Sequence, residues 1–168
     1  EHATAKQAVL NSFVFASVAA TVATLLTLAI AYIVQRRLIA YGGVLSFLTM
    51  APFVIPGVVL AIGFYAAYAP PPLALYGTAT ILILAFITRF LPIAYSGNAA
   101  SIRSLNVELE DAVRITGGGR VRVVRSVVAP LLKRAMIGSW ILIFVPAAQE
   151  LSTAVFLVGP RTRVMSVL

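Results

Sequence analysis

Residues 7–35 of the chain have the sequence QAVLNSFVFASVAATVATLLTLAIAYIVQ, which contains no charged side chain. A helix needs about 20 mostly apolar residues to cross a bilayer, so this stretch is long enough for one membrane span. The interval between Arg37 and Arg89 is also free of charge and is long enough for two spans. A fourth span is predicted around the charge-free interval between Arg134 and Glu150. The pattern therefore predicts a polytopic membrane protein.

The composition of the whole chain supports this interpretation. Hydrophobic residues make up 61% of the 168 residues and charged residues only 11%, whereas a soluble domain carries about 25% charged residues. The net charge of +8 comes mainly from basic residues in loops between apolar stretches, which indicates membrane topology rather than nucleic-acid binding. We therefore expect an all-α membrane protein, a polytopic helical bundle in contact with membrane lipid, and no nucleic-acid partner.

Four spans and one long loop are predicted within a single transmembrane domain that covers residues 1–168. Pro70, Pro71 and Pro72 end the second span, because consecutive prolines cannot continue a helix. The chain begins at Glu1 and ends in an apolar run from Val164, so we expect it to be cut from a longer protein whose next span begins there. The predicted spans are residues 9–34, 44–69, 77–96 and 135–158, and the loop is residues 98–134.

Prolines inside the predicted spans indicate kinked helices. Each removes one backbone hydrogen bond, and membrane helices tolerate this where neighbouring helices or water satisfy the freed carbonyl. The kinks have two interpretations at this point. They reflect irregular packing, or they mark broken helices that line a substrate path. The prolines concerned are Pro52, Pro56, Pro92 and Pro146.

The distribution of basic residues predicts which side of the membrane each loop occupies. Nine lie in the loops after the first and third spans, and three lie on the opposite side. Because positive residues are retained on the cytoplasmic side, the loop of residues 98–134 is predicted to be cytoplasmic and the N-terminus to be outside. The nine are Arg36, Arg37, Arg103, Arg114, Arg120, Arg122, Arg125, Lys133 and Arg134, and the three are Lys6, Arg161 and Arg163.

Two charged residues, Arg89 and Glu150, fall within the predicted spans. A charge at mid-membrane costs about 2.5–3.5 kcal/mol on insertion scales, so such residues usually face the interior of a bundle or a water-filled cavity. Counted from the outer ends of their spans at about 1.5 Å per residue, the two lie within about 5 Å of the same depth. We expect an intramembrane ion pair that holds the third span to the fourth. A role in a substrate path and local hydration without pairing are the alternatives.

The loop after the third span has the pattern of two short helices. Apolar residues recur at helical spacing in its first half and predict an amphipathic helix. Three glycines at 117–119 end this helix, and a basic helix over residues 120–128 follows, with Pro130 at the entry to the fourth span. Such a pair could dock in a cleft on a partner protein or lie on the membrane surface with its arginines at lipid phosphates. The apolar residues are Leu105, Leu109, Ala112 and Val113.

The same loop resembles the EAA loop in the permeases of ABC importers. That motif consists of E-A-A, three residues, G, nine residues, I, one residue and L-P. The spacing in this chain matches throughout, and Ala112, Gly117 and Pro130 match by identity. The corresponding residues here are Asp111, Ala112 and Val113, then Gly117, then Val127, Val128, Ala129 and Pro130.

This resemblance implies a transport mechanism and its partners. In the family, the two helices of the loop dock in a groove of a cytoplasmic ATPase dimer, and an extracytoplasmic binding protein delivers the solute. A second permease half, identical or fused, completes the pathway. Asp111 would supply the acidic contact to the ATPase and Gly117 the turn between the helices, where the triple glycine replaces the usual Gly-Ala-Ser. The implied ATPase-coupling residues are Asp111, Ala112, Val113, Gly117 and Pro130, in a multi-pass protein of the bacterial inner membrane.

A second, shorter resemblance bears on the substrate. Residues 149–153, QELST, are similar to the K-E-L-S-A-T stretch of permeases in the ferric-iron importer group, some of which contain two fused permease halves. The resemblance implies import of ferric iron. Importers of thiamine, polyamines, thiosulfate and phosphonates are close relatives of that group and are the alternatives.

The sequence offers few residues for chemistry of its own. The phosphate-binding pattern G-x-x-x-x-G-K-[ST] does not occur in it, so the chain is not expected to hydrolyse ATP itself. With no cysteine and one histidine, we expect no catalytic residue, no bound metal and no cofactor. Two alternatives come from other classes. One is an intramembrane enzyme, which would need an acid–base set beyond Arg89 and Glu150, and the other is a secondary transporter or channel that works without ATP.

Overall fold

The regular structure in the described residues is helical. The structure is a computed structural model that describes residues 2–160 and 162–167, so Arg161, one of the three basic residues assigned to the outer side, lies outside the described residues. Short 3-10 helices cover Ala51–Phe53 and Met165–Val167, and a π-helical turn covers Val124–Val128. The α-helices are α1 (His2–Gln35), α2 (Gly42–Met50), α3 (Gly57–Tyr68), α4 (Ala79–Arg103), α5 (Val107–Ile115), α6 (Arg120–Val123), α7 (Ala129–Ala148) and α8 (Ala154–Leu157).

Three helical stretches within the described residues are long and apolar enough to cross a membrane. They are Ala5–Gln35, Ala79–Arg103 and Arg120–Ala148, the last of which combines α6, the π turn and α7. A fourth stretch passes the same test if α2 and α3 are taken together, although the chain bends by 110° between them. The predicted fold class, an all-α membrane protein with kinked helices, is confirmed.

The bend in the second predicted span follows from its prolines. Pro52 lies in the 3-10 helix Ala51–Phe53, and Pro56 directly precedes α3. Ile55 comes immediately before Pro56, and a proline ring disfavours helical geometry in the residue before it. The stretch that the sequence predicted as one span over residues 44–69 is therefore two helices that meet at a break. In contrast, α4 continues through Pro92.

The core of the bundle lies where α1, α4 and α7 pack against one another. α1 contributes mainly alanines to this contact, and α4 contributes larger side chains. Small residues allow helix backbones to approach closely, which favours helix association where no water is present to drive it. The fully buried residues of this core include Ala16, Ala19, Ala20 and Ala23 from α1, Ile81, Leu82 and Phe86 from α4, and Ile143 from α7.

A buried asparagine adds polar contacts between α4 and α1. The Nδ2 atom of Asn98 donates to the carbonyl oxygen of Thr24 at 3.1 Å and to Oγ1 of Thr27 at 2.9 Å. All three residues are buried. Hydrogen bonds between membrane helices contribute about 0.6 kcal/mol on average, so this cluster fixes the register of the two helices more than it adds stability.

The helices that flank the long loop extend further than predicted. α4 continues to Arg103, beyond the span predicted to end at residue 96, and α7 is continuous with α6 back to Arg120. The sequence had indicated a separate basic helix over residues 120–128 and a span from residue 135. The connection outside regular helix is therefore limited to short segments on either side of α5.

The π turn explains how this helix passes Pro130. A proline has no N–H to pair with the carbonyl four residues earlier, which normally interrupts a helix. Immediately before it, the N–H of Ala129 donates to the carbonyl of Val124, five residues earlier. A π turn of this kind changes the backbone pairing locally, so the helix continues through the proline without a break.

A tight contact between α4 and α7 provides a test of this packing. A Cβ atom on Gly97 would lie 2.9 Å from Oγ of the buried Ser139, whereas one on Gly138 would meet no atom within 4 Å. We expect Gly97→Val to lower the stability of the detergent-solubilised protein by about 1–3 kcal/mol, as overpacking does, and Gly138→Val to have a much smaller effect. Thermal unfolding measures both, and combining Gly97→Ala with Ser139→Ala should restore stability relative to Gly97→Ala. Equal losses for Gly97→Val and Gly138→Val would contradict this packing.

Candidate functional site

α5 forms the first half of the candidate site, and its start is determined locally. Oδ1 of Asn106 accepts a hydrogen bond from the N–H of Glu108 at 3.0 Å, as N-cap side chains do. Glu108 and Glu110 lie in the first turn and Arg114 in the last. This order of charges matches the helix dipole and stabilises the helix.

Gly117 forms the turn between α5 and α6. Its φ of +80° lies in the left-handed region that favours glycine. Its N–H donates to the carbonyl of Arg114 at 2.9 Å, and the N–H of Gly118 donates to the carbonyl of Val113 at 2.9 Å. These two bonds form a Schellman motif, which ends a helix by satisfying its last carbonyls. The chain then enters α6 at Arg120.

Val113 and Gly118 fit each other in size. A Cβ atom at position 118 would lie 2.6 Å from Cγ1 of Val113 and 2.7 Å from its carbonyl oxygen. Valine is larger than the alanine of the EAA pattern, and glycine is smaller than the alanine that usually follows Gly117. The larger residue at 113 thus accompanies a smaller one at 118, where the Val113 carbonyl also leaves little room for a Cβ atom.

The outer surface of α5 and α6 carries exposed apolar side chains. Leu109 is 47% exposed, Ile115 86% and Val121 73%, and the Asp111 side chain on the same helix pair is 53% exposed. The sequence predicted Leu105, Leu109 and Val113 on one face of an amphipathic helix. In the structure, Leu105 and Val113 pack against the core, whereas Leu109 is exposed. The helix pair thus exposes apolar side chains and an acidic one.

The side of α5 that faces the bundle carries a buried acid, Glu110, which the sequence analysis assigned no function. Its Oε1 accepts hydrogen bonds from Nε of Arg36 at 2.7 Å and pairs with Nη2 of Arg36 at 2.6 Å. Its Oε2 accepts one from the hydroxyl of Tyr32 at 2.9 Å. The i,i+4 spacing of Glu110 and Arg114 was visible in the sequence, but it does not show which face of a helix is buried.

Arg114 connects this buried acid to the exposed one. Its Nη2 lies 3.4 Å from Glu110 and its Nη1 lies 2.8 Å from Asp111. Desolvation lowers the pKa of Arg114, but the neighbouring Tyr32 and Asp111 together raise the pKa above its ordinary value. Arg114 therefore stays charged between the two acids.

The five predicted coupling residues are not brought into one cluster. Asp111 and Ala112 are exposed on α5, Val113 packs against Gly118, and Gly117 forms the turn. Pro130 lies apart from them, on α7. It lines an apolar groove of about 420 Å³ between α1 and α7, together with Thr21, Leu25, Met136 and Trp140.

The two intramembrane charges, Arg89 and Glu150, both lie near the break between the helices of the second span. The Nη1 atom of Arg89 donates to the carbonyl of Ile55 at 2.7 Å. Oε1 of Glu150 accepts from the N–H of Thr153 at 3.2 Å and from its hydroxyl at 3.3 Å. A Cβ atom on Gly57 would lie 3.6 Å from Cζ of Arg89 and 3.5 Å from Oε1 of Glu150, so the two side chains flank the same glycine.

The predicted direct ion pair between Arg89 and Glu150 is not formed. The ion pairs within 4 Å among residues 5–160 and 162–167 all involve Glu110 or Asp111. The physical reason is that each charge is already engaged, Arg89 by a backbone carbonyl at the break and Glu150 by Thr153, which directly precedes α8. In the same part of the chain, no three His, Cys, Asp or Glu side chains gather in a group that could hold a metal ion.

These features define a class of protein, a multi-pass membrane bundle that carries a short helix pair with exposed apolar side chains. Similar proteins identify the family. The chain is 30% identical over 162 residues to ORF1 of Streptomyces antibioticus, described as an ABC transporter permease. The alignment covers 96% of this chain and 70% of that relative. The chain belongs to the family of ABC transporter permeases.

Two further relatives are named for iron. The chain is 34% identical over 155 residues to the ferric transport system permease protein FbpB of Actinobacillus pleuropneumoniae and equally to FbpB 1 of Haemophilus influenzae, with 92% of this chain covered. The chain spans only 23% and 24% of the length of these two relatives. No family model matches the chain.

The turn between α5 and α6 contains a matched pair of glycines for a test. We expect Gly118→Ala to destabilise the end of α5 by about 1–3 kcal/mol, because the added methyl group overlaps Val113. Gly119→Ala meets no atom within 4 Å and should change stability by no more than about 0.5 kcal/mol. Hydrogen exchange of the α5 amides measures both. Adding Val113→Ala to Gly118→Ala should recover part of the loss, and equal effects of the two single variants would argue against the size match.

Proposed function

We propose that the chain is the transmembrane part of an ABC importer permease that moves a small solute inward, driven by a separate ATPase. The observation that carries this proposal is the set of exposed apolar side chains on α5 and α6, on a helix pair that also exposes Asp111. A helix with its apolar face in solvent is unfavourable unless a partner covers it. The EAA spacing supports a cytoplasmic ABC ATPase dimer as that partner.

The proposed docking assigns a role to each residue of the motif. Asp111 contacts a basic group in the ATPase groove, and Ala112 leaves room for the groove wall. Gly117 sets the angle between the two helices, and Val113 fixes the turn by filling the space beside Gly118. Pro130 marks the point where the docking pair continues into the membrane helix.

Ferric iron is the proposed substrate. Two of the three relatives are named as ferric transport permeases, and the QELST stretch supports the same group. An extracytoplasmic binding protein would deliver the iron, and a second permease half, identical or fused, would complete the pathway. The basic residues around the α5–α6 pair support a location in the bacterial inner membrane with this pair in the cytoplasm. Thiamine, polyamine, thiosulfate or phosphonate import is the alternative.

We further propose that Arg89 and Glu150 stabilise helix breaks rather than contact the substrate. Arg89 supplies a donor to the Ile55 carbonyl, which lies between two helices, and Glu150 accepts from Thr153, which directly precedes α8. A backbone group without a partner in lipid costs several kcal/mol. One carboxylate close to a guanidinium is also a poor cation site, because the positive charge opposes cation binding.

The function is tested by reconstituting the complete importer, with its ATPase and binding protein, in proteoliposomes. We expect ATP-dependent uptake of radioactive ferric iron, unaffected by excess thiamine. Asp111→Lys should abolish uptake and the ATP hydrolysis that the loaded binding protein stimulates, because a like charge then faces the basic groove. Asp111→Glu, which restores the usual residue of the motif, should retain both. Normal stimulated hydrolysis in Asp111→Lys would contradict docking at this surface, and thiamine uptake would contradict iron as the substrate.

Variants at Glu150 and Arg89 distinguish a structural role of these charges from a role in the substrate path. Glu150→Gln keeps an oxygen that can accept from Thr153, so we expect thermal stability and iron uptake to be retained. Glu150→Ala and Arg89→Met remove the hydrogen bonds and should each lower stability by about 1–3 kcal/mol. Thermal unfolding and uptake are measured in parallel. Loss of uptake in Glu150→Gln at unchanged stability would place the carboxylate in the substrate path instead.

A further inference from the structure

The most deeply buried link between α5 and the membrane bundle is made of charges, beside the apolar contact of Val113 with the core. Glu110 is the buried residue of α5, and its side chain has no exposed surface. Among the buried polar residues within 5–160 and 162–167, it is the one that carries a charge. A buried charge is retained only when it is paired and hydrogen-bonded, and both oxygens of Glu110 meet that condition.

The partners of Glu110 all lie at one end of α1 or on α5 itself. Tyr32 lies in the last turn of α1, and Arg36 directly follows that helix. Arg114 comes from the last turn of α5. Nη2 of Arg36 also lies 3.4 Å from the carbonyl of Leu105, in the segment that joins α4 to α5. We call Tyr32, Arg36 and Glu110 the α1–α5 anchor. The Arg36 side chain is only 11% exposed, so water screens the anchor little.

Outside the anchor, α5 has few buried contacts with the bundle. Its apolar residues Leu109 and Ile115 are exposed, whereas Val113 packs against the core. Without the anchor, α5 would keep this contact and its contacts with α6 and the π turn, but it would lose its polar link to the end of α1. The anchor therefore determines how firmly a movement of α5 is passed to α1.

We propose that the α1–α5 anchor is the rigid connection through which movement of the docked ATPase reaches α1, in addition to the continuous helix from α6 into α7, with Glu110 as its positioning residue. This inference rests on the proposed function. α1 is the appropriate receiver because it packs against both α4 and α7, so its displacement moves all three membrane helices. Asp111, one residue further along, contacts the partner, and Arg114 bridges the two acids.

The test measures iron uptake and ATP hydrolysis together in the reconstituted importer, because their ratio reports transmission. Glu110→Gln keeps the shape of the side chain but leaves Arg36 without its anion. We expect the ATPase to co-purify as with the wild type, while uptake per ATP hydrolysed falls about tenfold, within the usual range of couplings between sites. Glu108→Gln, which changes an exposed acid on the same helix, should leave the ratio unchanged.

Two more variants distinguish a loss of transmission from a folding defect. Arg36→Gln combined with Glu110→Gln replaces the ion pair by two neutral amides that can bond to each other, so it should recover at least part of the lost ratio. Arg36→Lys keeps the charge but replaces the contact of two guanidinium nitrogens by one amine, so it should assemble and give an intermediate ratio.

The outcomes separate this inference from the proposed function. If Glu110→Gln lowers only yield or melting temperature, and the ratio stays at the wild-type value, the anchor is structural and the inference is wrong. If Glu110→Gln and Arg36→Lys both lose the ATPase, the anchor shapes the docking surface and does not transmit movement, which also overturns the inference. A wild-type importer that neither binds the ATPase nor takes up iron would contradict the proposed function instead.

Discussion

Every backbone amide and carbonyl within the hydrocarbon of a bilayer needs a hydrogen-bond partner from the protein, since no water is there to supply one. This constraint accounts for the long helices α1, α4 and α7, in which the backbone pairs with itself. It also accounts for the positions of the two intramembrane charges. Arg89 donates to the Ile55 carbonyl at the break before α3, and Glu150 accepts from the backbone at the start of α8. The two charged side chains thus supply hydrogen bonds at places where the backbone leaves the helical pattern.

α5 obeys a different constraint, because it lies beyond the apolar part of the bundle. A helix normally orders itself by burying its apolar face, but Leu109 and Ile115 of α5 are exposed. Its orientation is set by the buried Glu110, which binds Tyr32 and Arg36 at the end of α1, together with Val113, which packs against the core. Exposed apolar surface cannot also hold the helix in place. Polar anchoring on one side therefore accompanies exposed apolar side chains on the other.

Much of the fold could be predicted from the sequence. The charge-free intervals located the membrane helices, because exclusion of charge from lipid is a strong and simple effect. The turn at Gly117 was predicted from residue type and the EAA spacing, and its positive φ agrees with that prediction. The break at Pro56 was only partly visible, because Pro92 has the same local chemistry and lies within a continuous helix. Neighbouring helices decide which proline ends a helix.

Other features could not be predicted from one sequence. Periodicity placed Leu109 on an apolar face but could not show that this face is open, because a pattern of residues does not name the surface that covers it. The burial of Glu110 depends on Tyr32 and Arg36, which are more than seventy residues away along the chain. The direct pairing of Arg89 and Glu150 was predicted from depth alone, and depth does not include the backbone groups that compete for each charge.

The continuous helix from Arg120 to Ala148 has a consequence for how far the docking pair stands from the lipid. Its 29 residues have a length of about 43 Å at 1.5 Å per residue, whereas the hydrocarbon layer is about 30 Å thick. Because Glu150, two residues beyond Ala148, still lies within the predicted fourth span, the arginine-bearing end of the upright helix extends at least about 13 Å past the acyl chains. Because this helix is continuous, the thickness of the bilayer determines how far its arginine-bearing end extends beyond the lipid. Lipids with shorter acyl chains would raise the docking pair further above the headgroups, and lipids with longer chains would draw it towards them.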